Sequence, residues 1–450
     1  RMSDDADLPM KSEMTPDPLF DRSQKDADAT PDHLDLAKLD AASRADPALF
    51  ETRDEEPPFA RQVLTTPLHS EVARESATNL WRPWNGYTVG DVLTSITDEY
   101  TALRQSAALG DISPLYKYRI SGADALAWLR RFVTGNLVSM SAHEILRVTF
   151  CEDRGHVVGD GMLFCLGEDD FRLVTEEPHL SWMLDSAIGY QLRIEDVTVT
   201  LAAMSLQGPL SASVLAETGF SGIEHLPVDR AQWFDVAGMP VYVSRNGLWG
   251  ELAYDLWVDP EDAGPVWTRL LVRGEPFGLR ATGFALREIA RVEAGLPRAG
   301  VDYLGAFSVI DPDNALTPFE LGFAHLVDLE AAHFTGRDAL RARSASEPRR
   351  SLVPLAIDCH EPLQVSSIRM ANSIVGIVTS AAFSPSLGLN LALGIVTATA
   401  LKEAARLHVE AEIREELSVR AVKAPTRILQ KSAVSLASAR EAPVPLVALF

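Results

Sequence analysis

The chain has 450 residues, 46% of them hydrophobic, which is enough to bury cores in two or three domains. Its formal net charge of -22 repels phosphate backbones and anionic lipid, so neither nucleic acid nor a membrane is expected as a partner. Three cysteines, Cys151, Cys165 and Cys359, form no CxxC pair, which argues against a disulfide framework or a structural zinc site and fits a reducing cytoplasm.

Residues 1–64 read as an acidic N-terminal extension, in which DDADLPM, DADATPDHLDLAKLD and ETRDEEPP alternate acid with Pro, Ala and Ser. There is no basic-then-apolar leader pattern. No apolar run approaches the roughly 20 residues of a membrane helix, so a cytoplasmic location is expected. From Thr65 the character changes. TDEYTALRQSAALGDIS has helical spacing that ends at Gly110, YKYRISG alternates like a strand, and GADALAWLRRFVTGNL reads as an amphipathic helix. ILRVTFCEDRGHVVGDGMLFCLGEDDFRLVT reads as three strands with turns at Glu152–Gly155 and Gly167–Asp170. The helix HLSWMLDSAIGY follows.

The pattern then recurs: strand, turn and helix in VTVTLAAMSLQGPLSASVLAETG, and a hairpin in VAGMPVYVSRNGLWGELAYDLWVD. DAGPVWTRLLVRGEPFGL and ATGFALREIARVEAGLP read as helices. An α+β class with two halves, 65–200 and 201–345, is expected. After GRDALRARSASEPRRS the composition turns strand-rich, which reads as a small C-terminal barrel or sandwich, taken as a β-barrel over 346–430, and 431–450 is a tail without a clear role.

Asp160 stands out between Gly159 and Gly161. It is either a turn residue bonding its own backbone, or an acid facing a cavity whose flanking glycines let a ligand approach. Asp255 lies among Tyr254, Leu256, Trp257 and Val258, where an unpaired carboxylate is costly to bury. Arg245 could pair with it, or a ligand offering two parallel N–H donors, such as a pterin edge, could. The histidines have no metal-ligand spacing, and no metal is expected. No HExxH, GxSxG, Walker or GxGxxG pattern is present.

The segments RQSAALGDIS, RGHVVGDGMLF, SLQGP, GLWGELAYDLWV, ALREIARVEAGLP, LTPFELGFAHLVDL, HFTGRDAL and VGIVTSAAFSP follow one another in this order. Over Thr65–Val419 the chain thereby resembles the glycine-cleavage T-protein (aminomethyltransferase) superfamily of tetrahydrofolate-dependent one-carbon enzymes. The resemblance implies a three-domain ring around a central folate cleft. It implies that Asp160 is the catalytic acid beside the reactive folate nitrogens and that Asp255 grips the pterin. Gln207, Trp249, Glu251 and Arg287 would line the folate site, with Arg291 and Glu293 in the helix that frames it. T-proteins proper carry a doubled Asp and a GYTGE-like turn, whereas this chain has Gly159 before the acid and reads GLWGE. RGHVVGDGMLF is similar instead to tetrahydrofolate-dependent O-demethylases of methoxylated aromatic acids. The implied reaction moves a methyl group from a small methylated substrate, an aryl methyl ether such as a methoxybenzoate, to N5 of tetrahydrofolate. Tyr116, His156 and Tyr242 are the candidates to face that substrate. The alternatives are an S- or N-methyl demethylase, an aminomethyltransferase served by a lipoyl carrier protein, and a non-catalytic folate-binding protein.

Overall fold

The computed structural model describes residues 64–246, 252–357, 359, 365–403, 407–411 and 416–421. The expected extension (apart from Leu64) and the tail lie outside the described residues. The class is α+β, with sheets, helices and a C-terminal barrel.

Two sheets build the body. A five-stranded sheet runs, in spatial order, Ile145–Cys151, Val157–Gly167, Asp170–Thr175, Tyr116–Ser121 and Arg193–Asp196. Its first three strands are consecutive hairpins, as the turn residues around Gly155 and Gly167 predict. A six-stranded sheet runs Arg230–Val236, Met239–Arg245, Ala253–Val258, Ala202–Gln207, Ala107–Asp111 and Leu279–Thr282. Each sheet covers one face with helices. Trp128, Leu129 and Phe132 of the helix Ala125–Phe132 pack on Phe150, Leu163 and Leu173 of the first sheet. Trp267 and Leu270 of the helix Pro260–Gly274 pack on Met204 and Leu256 of the second. The opposite faces meet in a third apolar cluster that includes Phe164, Val174, Tyr242 and Trp257.

The expected helix through Gly110 stops earlier. It spans Ile96–Gln105, capped by the Ser95 side chain, which accepts from Asp98 N at 3.0 Å. Ala107–Asp111 is instead a strand held between two neighbours, antiparallel to Ala202–Gln207 and parallel to Leu279–Thr282. Helix propensity in SAAL is real, but a central strand position with buried Ala107, Ala108 and Leu109 outweighs it. Likewise Leu279–Thr282, read as helical, is the edge strand before the helix Phe284–Glu293.

The C-terminal strands close into a barrel, in the order Arg350–Ile357, Leu389–Thr397, Ser373–Ser384, Val365–Met370, Leu407–Ala411 and Glu416–Ala421. The helix Phe284–Glu293 fastens this barrel to the sheets. Arg291 Nη2 donates to Ser380 Oγ at 2.8 Å, and Tyr100 donates to Glu293 at 2.7 Å while Ser384 donates to the same carboxylate. No helix among the described residues is long and apolar enough to cross a membrane.

Candidate active site

A cavity of about 140 Å3 opens where the two sheets and the helix Phe284–Glu293 converge. Asp160, Arg147, Gln207, Asp255, Arg287 and Trp257 are among its lining residues. A β-bulge aims Asp160 into it. Phe150 pairs with Gly159 and Cys151 pairs with Val157, so Val158 is an extra residue on its strand. Beyond that insertion, Asp160, Met162 and Phe164 share the cavity side, while Gly159, Gly161 and Leu163 share the other.

Asp160 is therefore a mid-strand residue and not a turn residue. Its carboxylate accepts from Arg147 Nη2 at 3.1 Å and from the buried Tyr303 hydroxyl. Burial, reinforced by the negative charge of Asp160, pushes the Tyr303 phenol well above its ordinary range, so it stays a proton donor at any working pH. Of the flanking glycines, Gly161 lines the cavity, and both are also demanded by packing on the other face. A Cβ at Gly161 would fall 2.9 Å from Thr175 Cγ2 and collide with the Val174 carbonyl, and one at Gly159 would strike His179 and Phe150. Both glycines are required by packing behind the strand.

Asp255 stands across the ladder from Ser205, deep in the protein with part of its surface open to the cavity. Arg245 does not pair with it; that guanidinium donates to the Leu226 carbonyl at 2.8 Å. The partner is neutral, Asn246 Nδ2 at 2.5 Å. Burial raises the carboxyl to about 6, with the Asn246 and Ser205 hydrogen bonds opposing. Near neutral pH this is an acceptor whose hydrogen-bond partners are neutral and which faces open space. That suits a ligand bearing N–H donors.

Gln207 is buried and donates from Nε2 to Ser205 Oγ at 2.8 Å. Arg287 forms an ion pair with Glu176, and its guanidinium carbon lies 4.7 Å from the centre of the Trp84 ring. Burial lowers it to about 9, with Glu288 opposing. Trp257 meets Phe164 edge-on with ring centres 5.4 Å apart, and the two form an aromatic wall. Arg291 lines the cavity and binds Asp302 at 2.7 Å, whereas Glu293 faces Tyr100 and the barrel. Trp249 and Glu251 lie outside the described residues.

The three expected substrate-facing residues stand apart from the cavity lining. His156 is buried against Glu152, with Nδ1 3.0 Å from Oε1, beyond the bulge. Tyr242 is fully buried between the sheets and bonds His143 at 3.1 Å. Tyr116 packs against the first sheet's apolar cluster. Strand alternation turns Tyr116 and Tyr242 elsewhere, and His156 lies in the connection before the strand Val157–Gly167. Arg147 and Tyr303, by contrast, carry no sequence signal and reach Asp160 only through the fold.

Fold and site define a two-sheet α+β body with a C-terminal barrel, built around a cavity with a carboxylate from each sheet. Residues 68–331 match the GCVT N-terminal domain, and residues 350–426 match the glycine cleavage T-protein C-terminal barrel domain. The chain belongs to the glycine-cleavage T-protein family. It is 29% identical over 366 residues to an aminomethyltransferase of Moorella thermoacetica, covering 80% of this chain and 96% of that protein. It is also 29% identical over 361 residues to a trimethylamine-oxide aldolase of Ruegeria pomeroyi, covering 77% of this chain but 44% of that one. The crystal structure of aminomethyltransferase T from Bartonella henselae shares the fold, with a TM-score of 0.71 at 23% identity over 81% of this chain and 98% of that one.

Proposed function

We propose that this protein transfers a methyl group from a small methylated donor, foremost an aryl methyl ether such as a methoxybenzoate, to tetrahydrofolate. The family is one of folate-dependent one-carbon transferases. The single observation that carries the folate assignment is Asp255, a buried carboxylate open to the cavity whose side-chain partner is the neutral amide of Asn246. A reduced pterin offers paired N–H donors along one edge, and a carboxylate accepts such a pair as it accepts Arg. Gln207 and Arg287 would hold the ring and its substituents, and Trp257 would supply an aromatic face.

Tetrahydrofolate, when bound, supplies the secondary amine that accepts the carbon. Asp160 would hold that amine toward the donor and stabilise the positive charge that develops as the bond forms, then take the proton that is lost. Arg147 and Tyr303 hold the carboxylate by hydrogen bonds. Arg147 also lines the cavity and would bring a cation toward a leaving oxygen that keeps its electron pair. In-line alignment of the acceptor, methyl carbon and leaving oxygen accounts for much of the expected acceleration.

A second reading has its own support in the aminomethyltransferase relatives, and the product separates the two. Incubation with tetrahydrofolate and a panel of methoxybenzoates, methylated amines and sulfonium compounds should yield 5-methyltetrahydrofolate and a demethylated acid, read by mass. Methylenetetrahydrofolate with ammonia, formed from an aminomethyl lipoyl carrier, would favour the second reading. Tyr303→Phe should lower kcat about tenfold, the order expected from one lost hydrogen bond to a charged group. Its KM for tetrahydrofolate should stay within about threefold, because Asp255 is untouched.

A further inference from the structure

The face of the strand that turns away from the cavity carries a feature that the chemistry above does not use. His179 sits directly behind Gly159, buried, with its imidazole edge-on to Phe150 at 4.9 Å. A Cβ built on Gly159 would collide with Nε2, lie 2.7 Å from Cε1 of the same ring and lie 2.8 Å from Phe150 Cζ. The ring is fixed from its own backbone, since the His179 N–H donates to the buried Tyr118 hydroxyl at 3.0 Å. Nε2 has no hydrogen-bond partner among the described residues. Burial holds the ring neutral, with its pKa brought down to about 4 and the charge of Asp160 opposing. A buried polar atom left unpartnered is costly, so plain packing is better served by an apolar side chain at this place.

Gly159 is the residue immediately before the carboxylate, and it is also the register partner of Phe150 at the bulge. Whatever fills the space behind Gly159 fixes the height of this backbone in the sheet, and thereby the reach of Asp160 toward Arg147 and Tyr303. We propose that His179 is a positioning residue for Asp160, its imidazole taking the room that a side chain at position 159 would need, so that residues 159 and 179 act as one steric unit. The inference rests on the reading of Asp160 as the catalytic carboxylate. It assigns a reason to the single-acid arrangement: the place beside Asp160 that a second side chain would use is taken from behind by an imidazole.

A double-mutant cycle tests it, with Gly159→Ala, His179→Ala and the pair, measured on the full chain for kcat, KM, tetrahydrofolate affinity and Tm. Gly159→Ala should lose about 100-fold in kcat, the cost of displacing a catalytic group by about an ångström. Its tetrahydrofolate affinity should stay within about threefold, because Asp255 lies on the other sheet. His179→Ala should lose about tenfold in kcat with the same affinity, since the strand is no longer held from behind. The double variant should regain at least about tenfold over Gly159→Ala, because the collision with the imidazole is gone and the Phe150 ring, which packs edge-on against it, then has room to shift from the added methyl. If Gly159→Ala does not fold, the double variant must fold, since the collision with the imidazole has been removed and Phe150, no longer packed against that ring, can give way. His179→Leu should keep kcat within about threefold and raise Tm, because bulk is retained and the unpartnered nitrogen is gone.

A double variant no faster than Gly159→Ala, or a His179→Ala enzyme with wild-type kcat, overturns the proposal, as does a double variant that stays unfolded. An active wild type with an inactive Asp160→Asn and no coupling between 159 and 179 removes this inference alone. A wild type that binds tetrahydrofolate and turns over no donor removes the reading of Asp160 itself.

Discussion

Asp160→Asn is expected to bind tetrahydrofolate with unchanged affinity and to lose about 100- to 1,000-fold in kcat, the range for removing one preorganised electrostatic group. The substitution keeps the shape of the side chain. Tyr303 can still donate to the amide oxygen, so the local geometry survives. The negative charge is lost, and with it both the attraction for developing positive charge and the capacity to accept a proton. Arg147 loses its partner, but it retains some exposure and stacks 4.8 Å above the Phe323 ring, so the fold should tolerate the change. Measuring kcat, KM and tetrahydrofolate affinity together separates a chemical role from a binding role. Near-wild-type turnover would remove Asp160 from the mechanism.

Asp255→Asn should move binding and stability in opposite directions. Its folded pKa of about 6 lies above the ordinary 3.8, so between those values the folded protein holds a proton that the unfolded chain releases. The sign follows directly: this group contributes stability that is present below pH 3.8 and lost as pH rises through about 6. An amide does not titrate, so the variant should keep that stability at neutral pH. The gain is on the order of 1–2 kcal/mol once screening by cavity water is allowed for. Tetrahydrofolate affinity should instead fall about 100-fold, because two charge-assisted hydrogen bonds become weaker neutral ones. In the wild type, affinity should rise as pH passes upward through about 6 and then level off, and the variant should lack that step. A variant with unchanged affinity would return Asp255 to a purely structural role.

The carboxylates were legible in the sequence because they break their surroundings, one lodged among glycines and the other among apolar residues. The strand hairpins followed from turn chemistry and alternation, and the strand-rich C-terminal domain from its composition, which left barrel and sandwich both open. What escaped did so for identifiable reasons. Tyr303 stands 143 residues from Asp160, in a loop with no periodicity, and only the fold brings its hydroxyl to the carboxylate. Arg147 lies across a hairpin whose register depends on an unpredicted bulge. Tyr242 and His156 looked available as isolated polar residues, but both are buried against other partners. The glycines around Asp160 carry a second demand that the sequence does not show: side chains there would strike Thr175 and His179 behind the strand. Ala107–Asp111 was misread because local propensity cannot see that two strands will flank it.

The insertion of Val158 shifts the phase of its strand. A β-strand addresses its two faces by parity alone, and one supernumerary residue reverses every address downstream of it. Without that offset, Gly159 and Gly161 would look onto the open side and the acid would be driven into the aromatic layer around Phe150 and Leu163. The side on which this sheet presents Asp160 thus hangs on a count of residues, odd or even, between a turn and a carboxylate.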